Sequence, residues 1–289
     1  MADYLFSKGN EVMGVDNGLH PSSWIPTGEI IVGYGDLRYY QDIETLVQWS
    51  DIVINLAAQI NVDKSIDHPE ETMDINLRGV ENILNACRRY KKILIQASTS
   101  EVYGGHDEKI SEESPTLAQS PYAVAKLAAD KLCGNYHDLY GLEVYRLRCF
   151  NIFGPRQSSD TYGAVIPIFA NCILKGVPPI IFGNGHQRRD YIYIDDVVRM
   201  YEMLPTRPDL AGTPINLGTG ESVEIIEIAR MINKILGKDI PFEFGPDRPG
   251  EVKKLEADIT LASESYGFKP TVTFEEGLRR YLEWLKKSQ

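Results

Sequence analysis

Apolar runs and amphipathic segments alternate along the first half of the chain. Runs typical of buried strands occur at 11–16, 29–34, 52–56 and 143–148, and another begins at Ile93. Segments whose apolar residues recur at helical spacing lie at 2–8, 42–49, 69–90 and 122–140. Gly9 and Gly141 stand just after two of these segments, where a glycine commonly ends a helix. The alternation predicts a parallel sheet that is covered by helices on both faces.

The ends of the predicted strands carry small or polar residues. In a parallel α/β sheet, ligands bind beyond the carboxyl ends of the strands. The positions that fall at such ends are Asp16, Asp36, Ala57, Ala58, Thr99, Ser100, Glu101 and Asn151. We therefore expect a ligand site along this edge of the sheet.

Beyond residue 150 the pattern is less regular. A helix is predicted from residue 164, a short strand at 180–183 and a further helix from 223. The sequence shows no internal repeat and no low-complexity linker. We predict one domain over residues 1–165 and a smaller α/β lobe over 166–289, from which some segments return to the first domain.

Composition narrows the range of functions. With 43% hydrophobic and 25% charged residues, the chain has the composition of a soluble globular protein, and its net charge of −11 argues against nucleic-acid or anionic-membrane surfaces. The four cysteines and five histidines show no metal-binding spacing, so no metal site is expected. No apolar run approaches ~18 residues and no leader sequence is recognisable, so we expect a cytoplasmic protein.

Tyr122 and Lys126 stand one helical turn apart, on the same face of a predicted helix. Free tyrosine has a pKa of about 10, so a phenolate that acts as a base at neutral pH requires roughly 4 kcal/mol of stabilisation. A fixed ammonium beside the ring can supply much of that energy. A buried ring beside a solvent-reaching lysine would give the same spacing. The preceding strand, which ends at Thr99 and Glu101, favours the catalytic interpretation.

These motifs resemble those of the extended short-chain dehydrogenase/reductases, in the branch of nucleotide-sugar epimerases and dehydratases. The resemblance covers nearly the whole chain and implies a Rossmann-like doubly wound parallel sheet, bound NAD, and a smaller lobe for a nucleotide-diphosphate sugar. It also implies a homodimer that forms through a four-helix bundle of the helices at 69–90 and 122–140. By resemblance, the catalytic residues are Tyr122, Lys126, Thr99 and Glu101.

The resemblance also assigns residues to the cofactor. Those expected to contact NAD are Asp16, Asn17, Asp36, Leu37, Ala57, Ala58, Asn76, Ser98, Tyr122 and Lys126. A carboxylate at Asp16 would hold the adenosine ribose hydroxyls and repel a 2′-phosphate, which favours NAD over NADP. Asp16 could instead form a turn before Asn17, and the two alanines could serve close packing alone.

The beginning of the chain departs from the family pattern. Relatives open with a strand and a Gly-x-x-Gly-x-x-Gly turn before the first helix, whereas Ala2–Leu5 here matches the second half of that helix. Roughly 20 residues are expected to be absent, judged from the usual length of a strand, turn and half helix in a βαβ unit. The corresponding strand would lie between those ending at Asp16 and Leu56, and the turn would hold the pyrophosphate. We therefore expect weakened NAD binding and keep open an inactive sugar-nucleotide-binding or dimerising protein.

The predicted substrate residues lie mainly in the second half. By resemblance they are Asn151, Ala164, Val165, Ile181, Phe182, Arg189, Arg248 and Glu251. The planar guanidinium of arginine can meet two phosphate oxygens at once, which suits Arg189 and Arg248 to a diphosphate.

Two reaction types remain open at this stage. Residues 150–157, 162–166 and 248–251 are closer to UDP-glucose 4-epimerases, so 4-epimerisation is the first expectation. The Thr-Ser-Glu form at 99–101 resembles nucleotide-sugar 4,6-dehydratases and UDP-glucuronate decarboxylases, in which Glu101 would serve as the acid or base.

Overall fold

The computed structural model describes residues 1–18, 29–157, 164–247 and 252–288. The helices are α1 Ala2–Ser7, α2 Tyr40–Trp49, α3 Val62–Asp67, α4 Pro69–Met73, α5 Gly79–Tyr90, α6 Pro121–Tyr140, α7 Val165–Lys175, α8 Ile194–Met203, α9 Ile225–Leu236, α10 Thr260–Tyr266 and α11 Phe274–Ser288. The strands are β1 Met13–Asp16, β2 Ile31–Tyr34, β3 Ile52–Asn55, β4 Ile93–Thr99, β5 Val144–Cys149, β6 Asn151–Phe153, β7 Ile180–Phe182, β8 Arg188–Tyr193, β9 Pro214–Leu217, β10 Ser222–Glu224, β11 Glu243–Gly245 and β12 Lys254–Leu255.

The described residues form two compact units that interleave along the sequence. The first comprises Met1–Thr99, Ser120–Leu147 and Tyr201–Pro214, and the second comprises Ser100–Gln119, Arg148–Met200 and Ile215–Gln289. The segments that follow β4 and most of β5 belong to the second unit, and Tyr201–Pro214 belongs to the first.

Parallel strands with intervening helices build the first unit, as the alternating pattern predicted. The strands β1 and β2 pair in parallel, and a four-stranded sheet has the order β3-β4-β5-β9. Within the described residues no strand pairing joins these two sheets. The strands that end at Asp16 and Asn55 thus belong to two separate sheets among the described residues.

The hydrophobic core of the first unit lies where α2, α5 and α6 contribute their apolar faces. Ile83, Leu84 and Cys87 recur at helical spacing on α5 and are each at most 3% exposed. Burying one such side chain contributes about 1.5–3 kcal/mol. Cys87 and Cys133 are free thiols in this core, and burial raises the pKa of each to about 12.

The segment predicted as one helix over 69–90 is interrupted. A π-helical turn at Asp74–Arg78 separates α4 from α5, and α3, which the pattern did not predict, precedes them. Asn76 lies at the centre of the π turn. Such turns are rare and are found frequently at functional sites.

In the second unit, β8 pairs with β10, β12 and β6, and β7 pairs with β11. The helices α7, α9 and α11 supply most of its core, together with aromatic residues. Phe153 lies edge-on to Tyr191 and Tyr193, with ring centroids 6.1 and 5.6 Å away. None of the helices described in either unit has the length and apolar character needed to cross a membrane.

Candidate active site

The start of α6 places Tyr122 and Lys126. The Ser120 side chain caps the helix by accepting a hydrogen bond from the Ala123 amide at 3.1 Å, and Pro121 occupies the first helical position. Tyr122 and Lys126 follow on the inward face of α6, where they are 9% and 5% exposed. The structure therefore keeps both side chains on one buried helix face, one turn apart.

Lys126 reaches the sheet. Its Nζ donates a hydrogen bond to the backbone oxygen of Ala97 at 2.6 Å. Ala97 lies two residues before Thr99, which is the last residue of β4. The ammonium group is therefore at the carboxyl end of β4, the edge of the sheet at which the sequence predicted a ligand.

Ser98 provides an observation that bears on a bound cofactor. Its side-chain oxygen is buried and has no hydrogen-bond partner among the residues that the structure describes. A buried hydroxyl without a partner costs about 1–3 kcal/mol, and the polar atoms of a ligand would remove that cost. The Ser98 position therefore fits a polar ligand group at the end of β4, as the NAD assignment requires.

Asn76 supports the backbone that follows Ala57 and Ala58. The Gln59 amide donates to Asn76 Oδ1, and Asn76 Nδ2 donates to the Gln59 carbonyl, each at 2.8 Å. These two bonds imitate the pairing of a neighbouring strand. Asn76, a residue predicted to contact the cofactor, thus holds the turn after β3 in place.

The residues predicted for adenosine have partners within the protein. Asp16 Oδ1 accepts a hydrogen bond from the Gly18 amide at 2.7 Å, so Asp16 does form the turn that was left open as an alternative role. Asp36 is held by the guanidinium of Arg38, with bonds of 3.0 and 2.7 Å. This pairing lowers the pKa of Asp36 to about 2. Asn17 Nδ2 adds a longer bond to Asp36 at 3.4 Å.

The side chain of Leu37, a residue predicted to meet the adenine, packs in the core of the first unit. It is 9% exposed and belongs to the core of the first unit. It packs against Gly79 at the start of α5, where an added Cβ would lie 2.9 Å from the Leu37 Cβ. The side chain of Leu37 therefore contributes to the core.

Glu101, in the second unit, lies in a 3₁₀ turn at Ser100–Tyr103. The residue is half-buried, and the loss of water around its carboxyl raises its pKa, against an opposing effect of the Arg189 charge. Arg189 donates from Nη1 to the backbone oxygens of Arg188 and Val252 at 3.0 and 2.7 Å. A carboxyl with a raised pKa beside a cation is suited to exchanging protons with a substrate.

Tyr103 anchors the turn that carries Glu101. Its buried hydroxyl donates to Asn216 Oδ1 and accepts from Arg148 Nη1, each at 2.8 Å. Gly104, which follows, has a φ of 65° and faces the backbone of Leu117. The turn is thus fixed at its end by a hydrogen-bonded phenol and a left-handed glycine.

Asp190 joins several segments of the second unit through hydrogen bonds, including the predicted substrate residue Asn151. Its carboxylate accepts hydrogen bonds from the Thr219 amide and hydroxyl, the Gly220 amide and the Ala257 amide, at 2.7 to 3.2 Å. Its backbone oxygen accepts from Asn151 Nδ2 at 3.1 Å. Burial raises the pKa of Asp190 against the effect of these bonds.

The remaining predicted substrate residues differ in their placement. Ala164 is exposed just before α7 and Val165 begins that helix. Ile181 is 0% exposed within the core of the second unit, so its side chain does not line an open pocket, whereas Phe182 is half-buried. Arg248 and Glu251 lie outside the described residues.

Several residues that build the site were not predicted. Arg38, Tyr103, Asp190 and the buried amides Asn55 and Gln96 gave no motif of their own. A polar Gln96 inside an otherwise apolar strand was a signal, because a buried amide requires partners. Among the residues that the structure describes, no group of three or more histidines, cysteines or acids is arranged to hold a metal ion.

Comparison with known proteins agrees with this geometry. The family model described as GDP-mannose 4,6 dehydratase matches residues 1–281. The chain is 31% identical to a UDP-glucuronate 4-epimerase of Thermodesulfobacterium geofontis, over 100% of this chain and 92% of that protein. It is 31% identical to a UDP-N-acetyl-alpha-D-glucosaminuronate decarboxylase of Bacillus cytotoxicus, over 99% of this chain and 94% of the relative.

A solved structure gives the same result. The UDP-glucose 4-epimerase of Thermus thermophilus, in complex with NAD, superposes with a TM-score of 0.91 at 30% identity. The match covers 99% of this chain and 94% of that one. The chain therefore belongs to the NAD-dependent short-chain dehydrogenase/reductase family of nucleotide-sugar epimerases, dehydratases and decarboxylases. The predicted family, fold class and enzymatic nature are confirmed.

Proposed function

We propose that the protein is an NAD-dependent nucleotide-sugar 4-epimerase, acting on UDP-glucose and UDP-galactose or their N-acetyl equivalents. The observation that carries the proposal is the burial of Tyr122 and Lys126 on one face of α6, with Lys126 Nζ bonded at the carboxyl end of β4. Structural relatives include an epimerase in complex with NAD, and Ser98 offers a buried hydroxyl to a polar ligand there.

The first unit would carry the cofactor and the chemistry. NAD, when bound, would accept a hydride from C4 of the sugar and return it to the other face. The Tyr122 oxygen would take the proton of the C4 hydroxyl, and the Thr99 hydroxyl would hold the same sugar oxygen in place. Lys126 would favour the phenolate form of Tyr122 through its positive charge and hold the ribose of the cofactor.

The second unit would bind the nucleotide sugar. Asn151 and Arg189 are the described residues that we propose for the diphosphate, since an amide and a guanidinium both donate hydrogen bonds to phosphate oxygens. Asp190 would keep the two in register through the backbone between them. We further propose a homodimer that forms through α5 and α6, which light scattering would test directly.

Dehydration or decarboxylation is a second candidate because of Glu101. A carboxyl whose pKa is raised by burial could remove or return a proton next to a 4-keto group, which an epimerase does not require. The family model and the decarboxylase relative add weight to this candidate.

Turnover of defined sugars distinguishes the candidates. The purified chain is incubated with NAD and, separately, with UDP-glucose, UDP-GlcNAc, UDP-glucuronate, GDP-mannose and dTDP-glucose, and the products are separated by anion exchange and identified by NMR. Epimerisation gives the C4 stereoisomer alone, dehydration gives a 4-keto-6-deoxy product that absorbs in alkali, and decarboxylation releases carbon dioxide.

The controls follow from the site. Tyr122→Phe and Lys126→Met should abolish turnover while the midpoint of the unfolding transition is unchanged. Loss of a keto product in Glu101→Gln would favour dehydration. If the chain binds no NAD in calorimetry and turns over none of these sugars, the proposal fails, and an inactive sugar-nucleotide binder becomes the better description.

A further inference from the structure

Two buried side-chain amides lie beneath the predicted cofactor edge of the first unit. Asn55 ends β3 and Gln96 is its register partner in β4, so their side chains stand at the same level of the sheet. They are 3% and 1% exposed. An apolar pair would fill this position without loss of hydration, whereas each buried amide group left without a partner costs about 1–3 kcal/mol. Burying these two amides therefore lowers stability unless their donors and acceptors are paired.

The structure pairs them in one continuous chain of hydrogen bonds. The Ala57 amide donates to Asn55 Oδ1 at 3.1 Å, and Asn55 Nδ2 donates to Gln96 Oε1 at 2.8 Å. Gln96 Nε2 then donates to the Ala97 oxygen at 2.8 Å, and the same oxygen accepts from Lys126 Nζ at 2.6 Å. A backbone N–H can only donate and a carbonyl can only accept, so the two ends of the chain fix the orientation of both amides.

We infer that Asn55 and Gln96 are positioning residues that fix the Lys126 ammonium and the backbone turn at Ala57 relative to each other. One end of the hydrogen-bonded chain is the carbonyl that holds the ammonium. The other end is the first amide of the turn that we propose to approach the cofactor. The significance of this link for catalysis rests on the proposed function, but the link itself is a property of the unliganded protein.

The physical consequence concerns geometry. Without the Gln96 donor, the peptide of Ala97 can rotate, and the ammonium moves with its acceptor. Without the Asn55 acceptor, the Ala57 amide loses the side-chain hydrogen bond that, among the described residues, connects this turn to β3. Reactions between bound groups lose up to ~100-fold in rate for a misplacement of about 1 Å.

Nuclear magnetic resonance of the protein alone tests the inference. Gln96→Met replaces the amide with an apolar side chain of similar length, and Asn55→Leu keeps the branched shape while it removes both the acceptor of the Ala57 amide and the donor to Gln96. Proton–nitrogen spectra of lysine ammonium groups report Lys126, assigned with Lys126→Met, and amide exchange reports Ala57. Tyr136→Phe, on the same helix, removes one hydrogen bond to Asn85 as the matched control.

We expect both variants to shift or broaden the Lys126 ammonium signal and to accelerate Ala57 amide exchange by at least about tenfold, whereas Tyr136→Phe leaves both unchanged. If either signal keeps its parental value in Asn55→Leu and in Gln96→Met, the inference is overturned. Should Gln96→Met fail to fold, Asn55→Leu decides alone.

A kinetic measurement separates this inference from the proposed function. In an active enzyme, Gln96→Met should lower kcat by about tenfold or more and leave KM for the nucleotide sugar within about twofold, because the second unit is unaltered. Altered resonances in a chain that shows no turnover with any sugar would leave the positioning role intact and refute the epimerase assignment alone.

Discussion

Replacement of Gly104 by alanine should destabilise the second unit far more than the same change at Gly237. Both glycines have a φ of 65°, so alanine pays the same left-handed backbone cost of about 1–2 kcal/mol at either site. At Gly237 an added Cβ meets nothing within 4 Å, whereas at Gly104 it would lie 2.3 Å from the backbone oxygen of Leu117. Relief of that clash requires the two segments to separate, which weakens the hydrogen bond from the Leu117 amide to the Tyr103 oxygen.

The magnitude follows from these contacts. One weakened hydrogen bond contributes about 1 kcal/mol, and forced displacement of packed atoms adds about 1–3 kcal/mol. We therefore expect Gly104→Ala to lower the free energy of unfolding by roughly 3–6 kcal/mol and Gly237→Ala by roughly 1–2 kcal/mol.

Urea unfolding followed by circular dichroism measures both variants against the parent protein. Both glycines belong to the second unit, so the same transition reports them. Equal losses in the two variants would show that the left-handed backbone alone sets the cost, and would refute the clash argument.

Three further predictions concern charge and the buried phenol. Because Arg38 holds the pKa of Asp36 at about 2, against 3.8 unperturbed, their pairing stabilises the protein above pH ~4 and is lost as the pH falls towards ~2. Arg38→Gln should therefore lose up to about 2 kcal/mol at pH ~7 and roughly a third of that at pH ~2.5 in urea titrations, and a loss independent of pH would contradict this. Burial raises the pKa of Glu101 above 4.5, so its ionised form costs stability at neutral pH. Glu101→Gln should have a melting temperature equal to or above that of the parent protein at pH ~7, and the two melting temperatures should converge near pH ~4. A lower melting temperature of the variant at neutral pH would contradict this prediction. Tyr103→Phe should lower the free energy of unfolding by about 2–4 kcal/mol in chemical denaturation, because two buried hydrogen bonds are lost with the hydroxyl. The control Tyr136→Phe should lower it by about 1 kcal/mol, and equal losses would exclude the anchoring role of Tyr103.

The start of α6 could be predicted from sequence because its signals are local. Ser120 and Pro121 mark the beginning of the helix, Gly141 marks its end, and the spacing of Tyr122 and Lys126 follows from the helix itself. The parallel sheet and the placement of Thr99 at a strand end followed from the alternation of apolar runs. Pattern and local chemistry were sufficient for these features.

Other features depend on contacts between distant residues, which no local pattern contains. The bond between Asn55 and Gln96 joins residues 41 positions apart and exists only because β3 and β4 pair in one register. Asn76 in the π turn likewise bonds the backbone of Gln59, 17 positions earlier, and Asp36 is paired with Arg38. The interleaving of the two units could not be read from composition, because no linker marks the crossings.

The carboxylate of Asp190 has a consequence for how the second unit opens to solvent. It gathers donors from two segments far apart in the sequence, one at residues 219 and 220 and the other at residue 257. When one segment detaches, the other loses part of a common acceptor network that is costly to leave unsatisfied in a buried place. These segments should therefore fluctuate together, as one cooperative opening unit, so that the loop near residue 219 reports the order of the strand before residue 257.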